Sequence, residues 1–165
     1  MKHTITCLLA LVSFALPHAA AAQSLEQKKL DVMVGTWKIT LDLKATPLST
    51  ATQASGTETC EKFATHVVCR SDATGASGTY KLMRTLSYVP ARKQYAAYSV
   101  DSLNSALLAT GLVAGDTWTF TTNQPAFNIR LTLKTSATAY TALAEYAGPD
   151  GKFQPLSEVK ASRVK

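Results

Sequence analysis

Arg84 is the residue whose placement most clearly asks for chemistry. It shares an every-second-residue pattern with Tyr80, Leu82, Leu86 and Tyr88, so in an extended chain all five face the same way. That face is apolar apart from Arg84 and should point inward. A guanidinium keeps its proton, and a lone buried charge is costly, so Arg84 must meet a counter-charge. It either anchors the carboxylate or phosphate of a ligand, or pairs internally with Glu58, Glu61 or Asp101, or sits on a bulge that turns it outward. Tyr80, Tyr88, Tyr98, Tyr140 and Tyr146, with Trp118 and Phe120, form a second set. Apolar rings with polar tips suit the wall of a ligand cavity; simple core packing is the plainer reading of the same residues. Asp101, followed by Ser102, ends a strand pattern. Its carboxylate either caps the amides of a turn or serves as a base. The candidate ligand-binding residues are therefore Arg84, Tyr80, Tyr88, Tyr98, Asp101, Trp118, Phe120 and Tyr140.

The supporting cast for catalysis is thin. His66 is the only histidine after residue 22, and it falls beside an expected hairpin turn. One histidine cannot build a multi-histidine zinc site. There is no Gly-x-Ser-x-Gly and no Gly-rich phosphate loop. No metal and no cofactor are expected, and the reading leans away from an enzyme.

The first 22 residues read as a secretory signal. Lys2 supplies a positive start, and the apolar run from Ile5 to Leu16 is shorter than the roughly 20 residues a bilayer span needs. Pro17 breaks the helix, and Ala20 and Ala22 place cleavage after Ala22. The expected organisation is a signal over residues 1–22 and one domain over residues 23–165, with no membrane insertion once the signal is gone. Periplasmic or secreted localisation follows. Cys7 leaves with the signal, so Cys60 and Cys69 remain, an even count in an exported chain. They are equidistant from a turn at Ala64-Thr65, so a tight hairpin opposes them within disulfide range.

A chain of 165 residues with 46 % hydrophobic and 17 % charged residues is too apolar for disorder and suits a single domain. Lys and Arg number 17 against 11 Asp and Glu. These basic residues are scattered rather than clustered, so no nucleic-acid partner is expected.

The elements that must carry these residues are strands. Ser24 and Gln27 have capping-box spacing for a short helical turn, which runs into Gly35. Trp37, Ile39, Leu41 and Leu43 then alternate with Lys38, Thr40, Asp42 and Lys44. Pro47 to Ser55 reads as a loop. Residues 56–62 and 66–72 form the cysteine hairpin, and residues 74–78 read as a turn. Tyr80 to Tyr88, Tyr95 to Asp101, Leu107 to Val113, Thr117 to Thr121, Phe127 to Lys134, Tyr140 to Tyr146 and Leu156 to Val164 complete the series, with Asn123-Gln124-Pro125 as one of the turns. The fold class is all-β: an antiparallel meander of about ten strands with short connections. An open sheet that size leaves an apolar face and two edges exposed, and closure into a barrel removes both problems. A two-sheet sandwich is the alternative.

Gly35-Thr36-Trp37, opening the first strand after a helical turn, resembles the G-x-W motif of lipocalins and other calycins. The resemblance implies a basic residue on the last strand packed across the tryptophan, and Arg163 stands there. Gly35, Trp37 and Arg163 are thus the expected structural set, and guanidinium–indole stacking is a physical reason for it. Calycin barrels that hold haem use a histidine, for which His66 is the only candidate here. A second stretch is similar to a bacterial family of unknown function with a calycin-like barrel. It comprises Leu86-Ser87-Tyr88, Tyr95, Tyr98-Ser99-Val100-Asp101-Ser102, Gly111, Gly115 and Trp118, with Gly56-Thr57-Glu58 and the segment from Glu158 to Arg163. Val89 and Tyr98 depart from that family's pattern, which has Asp and often Trp there. The resemblance implies a calycin/lipocalin-like barrel and carries no settled activity.

The expected function is an exported binding protein for a small hydrophobic or amphipathic molecule, mainly apolar, with or without an acid group, held in the barrel interior. One alternative is an enzyme in the same cavity, with Asp101 or Glu61 as base and Arg84 steadying an anion. Another is a cavity-free envelope module that binds a protein through its rim loops.

Overall fold

The computed structural model describes residues 24–47, 49–122 and 128–164. The expected signal and its cleavage point, the turn at Asn123-Gln124-Pro125, and Phe127 lie outside the described residues.

A short helix, α1 (Leu25–Lys29), opens the described chain. Ser24 Oγ accepts from Gln27 N, and Gln27 Oε1 accepts from Ser24 N, the reciprocal box that its spacing announced. A 3₁₀ turn, Leu30–Met33, buries Leu30 and Met33. The strands follow as β1 (Gly35–Leu43), β2 (Thr52–Phe63), β3 (His66–Gly75), β4 (Gly78–Val89) and β5 (Gln94–Asp101). They continue as β6 (Ala106–Ala114), β7 (Thr117–Thr121), β8 (Ile129–Thr135), β9 (Ala139–Ala147) and β10 (Phe153–Arg163). Each strand pairs antiparallel with the next, and β10 returns to pair with β1, so the ten strands close into a barrel. The closing seam runs from Trp37 opposite Arg163 to Leu43 opposite Ser157. This is the ten-strand closed meander with its short N-terminal helical turn, and not the sandwich.

The larger differences from the sequence reading lie at strand ends. β2 begins at Thr52, inside the expected loop, because Thr52 to Ser55 pair with Thr40 to Leu43 of β1. Their small side chains carry little periodic signal, yet the long β1 needs a partner along its whole length. The turn expected over residues 74–78 shrinks to Ala76-Ser77, with Gly75 opposite Gly78. β10 begins at Phe153 rather than Leu156, and its register shifts between Pro155 and Ser157. A proline that cannot donate to the ladder is accommodated at such a bulge.

The core concentrates at one end of the barrel. Trp37, Trp118, Phe120, Leu86, Leu133 and Val67 are fully buried there with Leu30 and Met33 of the N-terminal turn. Ring contacts knit the plug: Tyr88 lies 5.1 Å from Tyr95, Tyr95 5.5 Å from Trp118, and Trp118 6.4 Å from Phe120, centroid to centroid. Tyr95 Oη donates to Glu26, which ties α1 across the same end.

Candidate functional site

The inward face of the other part of the barrel does not close on itself. It surrounds a cavity of about 700 Å³, within the size range of small-molecule sites. Its walls are aliphatic and small: Leu41, Leu82, Leu107, Leu131, Ala97 and Ala142 among others. Small side chains facing inward on several strands leave the volume that larger ones would fill.

Polar groups converge in the wall at Glu58. Its carboxylate accepts from Ser71 Oγ at 2.6 Å and from Tyr140 Oη at 2.7 Å. Arg84 Nη2 donates to both Glu58 oxygens at 3.2 Å. Glu58 is 2 % exposed and Arg84 7 %. Arg84 Nε is buried without a hydrogen-bond partner among the described residues. Burial alone pulls the Arg84 pKa down; the Glu58 charge, with Tyr140 and Tyr80, more than reverses this and holds the guanidinium protonated. Burial chiefly, then the neighbouring Glu58, raises the Tyr140 pKa, although Arg84 opposes it, so the phenol remains a donor.

Register explains the cluster. Glu58 lies opposite Ser71 on the β2–β3 hairpin, one inward step from Cys60 opposite Cys69. Those cysteines form the disulfide, nine residues apart in the chain. Cys69 lies opposite Arg84 on β4, so adjacent strands bring the guanidinium across to Glu58. Glu58 and the two cysteine sulfurs are close enough to suggest a metal cluster. Both sulfurs are bonded to each other, so their thiolates are not available as ligands.

The candidate residues separate into two groups. Arg84, Tyr80, Asp101 and Tyr140 line the cavity. Tyr80 Oη donates to Asp101 Oδ2 at 3.2 Å, while Asp101 Oδ1 accepts from the backbone N–H groups of Leu103 and Ser105 at 2.9 and 3.0 Å. Asp101 thus caps the β5–β6 turn. Burial and then Asp101 raise the Tyr80 pKa. Tyr88, Trp118 and Phe120 belong to the aromatic plug, not to the cavity wall. They face inward as their alternation requires, but at the packed end. Tyr98 is 44 % exposed on the outer surface. Its neighbours Ala97 and Ser99 line the cavity, and adjacent residues of a strand point to opposite faces. Glu61, the alternative base, is also outside, beside Arg70. His66 does not line the cavity. Of the three internal partners open to Arg84, the structure selects Glu58. Ser71 was missed because a serine within a strand pattern carries no signal of its own.

The G-x-W set forms a separate clamp. Arg163 lies 4.1 Å above the Trp37 ring. Its Nη1 donates to Val34 O at 2.6 Å, Nη2 to Val32 O at 2.8 Å, and Nε to Ala137 O at 2.7 Å. Trp37 Nε1 donates to Met33 O at 2.9 Å. Gly35 has φ +135°, and a Cβ there would lie 2.3 Å from Arg163 Nη1, so only glycine fits.

A closed antiparallel barrel, sealed at one end by a helical turn and a Trp–Arg clamp and hollow beyond it, defines a calycin-like protein. The chain belongs to the family described as protein of unknown function (DUF1579), whose model matches residues 23–153. No curated protein matches it. Among solved structures it is similar to Rv2717c from M. tuberculosis, with a TM-score of 0.66 and 10 % identity over 86 % of this chain and 99 % of that one. It is also similar to the S-type phycobiliprotein lyase CPES from Guillardia theta, with a TM-score of 0.59 and 9 % identity over 85 % and 93 % of the two chains. At such identities the likeness is one of fold.

Proposed function

We propose that the protein is an exported binding protein that holds a small, mainly apolar molecule inside its barrel. The observation that carries this reading is the cavity of about 700 Å³, whose aliphatic wall is interrupted by serine and threonine hydroxyls, by the Glu58 cluster and by the Tyr80–Asp101 pair. A stability-driven design would fill such a space, because each void forfeits packing energy. The same barrel architecture occurs in a protein named as a phycobiliprotein lyase. Export to the periplasm or beyond is supported by the signal-like start of the sequence and by the buried disulfide, which suits an oxidising compartment. The outer barrel face carries charges such as Lys38, Arg70, Lys81 and Lys160, which suits water rather than lipid around it.

Native mass spectrometry of protein purified from its own compartment tests the proposal. It should show a population heavier than the mature chain by one small-molecule mass, which organic extraction removes. A single unliganded mass, together with no binding of apolar probes by the extracted protein, would overturn it.

A further inference from the structure

The charges on the cavity wall bear on which guests it admits. The ionised side chains that line it, among the described residues, are Glu58, Arg84 and Asp101. Arg84 is the lone cation among them, and its charge is already matched by Glu58 through Nη2 at 3.2 Å from each oxygen. Asp101 adds a further negative charge at the β5–β6 turn. The lining is therefore neutral at the Glu58 cluster and negative as a whole. An anion entering it must leave water and approach a carboxylate that is nine-tenths or more buried, where charges are weakly screened. Glu58 already accepts from Ser71, Tyr140 and Arg84, so it has no call on an incoming donor. The spare hydrogen-bonding capacity of the cluster is a donor, Arg84 Nε. Nε itself presents no surface to the cavity, so a hydroxyl or carbonyl oxygen of a guest meets the guanidinium where Arg84 lines the wall, without bringing a charge.

We infer that the cavity selects uncharged amphiphiles, an apolar body with a neutral acceptor such as an alcohol, ketone or ester, and rejects fatty acids and other anions. This rests on the reading of the barrel as a ligand-binding cavity. Glu58 is then the specificity-determining residue: it turns a guanidinium that would anchor an acid into a neutral wall. Of the alternatives open to Arg84, the reading that favours neutral guests goes with its internal pairing to Glu58.

The test uses the extracted mature protein and the uncharged fluorescent probe N-phenyl-1-naphthylamine, displaced by decanol or by decanoate at a pH where the acid is ionised, both below micelle formation. Decanol should displace the probe at least about tenfold more effectively than decanoate. In Glu58→Gln, which keeps the shape and a hydrogen-bonding side chain, Arg84 loses its counter-charge, and decanoate should gain at least about tenfold. A cooperative urea transition checks that this variant folds, and the wild-type comparison stands without it. Decanoate equal to or better than decanol on the wild type would overturn the selectivity while leaving the binding reading intact. So would a folded Glu58→Gln with unchanged preference. Failure of the probe to bind at all would instead remove the binding reading on which the selectivity stands.

Discussion

Glu58 holds three donors from three different strands, and this makes it the most consequential single side chain in the interior. Removing one partner of a buried pair strands the other charge, so Glu58→Ala should destabilise by about 3–5 kcal/mol. Glu58→Leu combined with Arg84→Met should be far closer to the wild type, because no charge is then left buried. A double-mutant cycle by urea denaturation reads this directly, and additive losses would contradict it. Arg163 acts close by, at the sealed end, where Trp37 lies opposite Arg163 on one side and Glu58 on the other. Its three carbonyl bonds and its stacking on Trp37 predict a loss of about 3 kcal/mol for Arg163→Ala, and only partial recovery with Lys, which has no planar fork. The stacking partner was legible in the sequence, since both residues fall in a recognisable pattern. The three carbonyl contacts were not, because backbone acceptors leave no trace in residue types. Arg84 stood out as a charge in an apolar alternation, but its choice of Glu58 depended on register between strands, which alternation leaves open.

At the scale of elements, the β2–β3 hairpin is the piece most fully read in advance. Two cysteines equidistant from a turn fixed its register, and that register also sets Glu58 opposite Ser71. Loss of the disulfide in Cys60→Ser with Cys69→Ser should lower stability by about 2–3 kcal/mol, as the chain-entropy account gives for so short a loop. Thermal unfolding of the variant measures it. The α1 segment is held more weakly, through Glu26 and Tyr95. Lys29 first, and then Tyr95, hold the half-buried Glu26 carboxyl below its ordinary value. A carboxyl lowered by folding stabilises fully above its unfolded pKa, and that contribution fades as pH falls through the folded value. The stability gap between wild type and Glu26→Gln should therefore be present near neutral pH and close on acidification; a gap that widens in acid would refute the assignment. Strand ends were less legible than strand centres. Thr52 to Ser55 and Phe153 to Pro155 pair because neighbouring strands need partners there, not because their own composition demands it.

The whole molecule divides along the barrel axis into a packed end and a hollow end. Period-two alternation tells which way a side chain faces but not how far along the axis it lies. For that reason Tyr88, Trp118 and Phe120 read as wall residues and prove to be plug, while Tyr80 and Tyr140 lie on the cavity. The all-β class, the strand count and the closure were legible because a long meander with an apolar face has few other ways to bury it. The cavity was an expectation of fold resemblance, since the small residues that create it, such as Ala97, Ala109 and Ala142, look like any weak strand positions. One measurement tests the hollow end as a binding site more directly than any other: titration of N-phenyl-1-naphthylamine into wild type, Ala97→Phe and Tyr98→Ala. Ala97 lines the cavity and Tyr98, its neighbour in the chain, faces solvent. The account predicts saturable binding of one probe in the wild type and in Tyr98→Ala, weakened at least about tenfold in folded Ala97→Phe, where a ring occupies the cavity. Binding that survives Ala97→Phe unchanged and is lost in Tyr98→Ala would place the site on the outer surface and contradict the account.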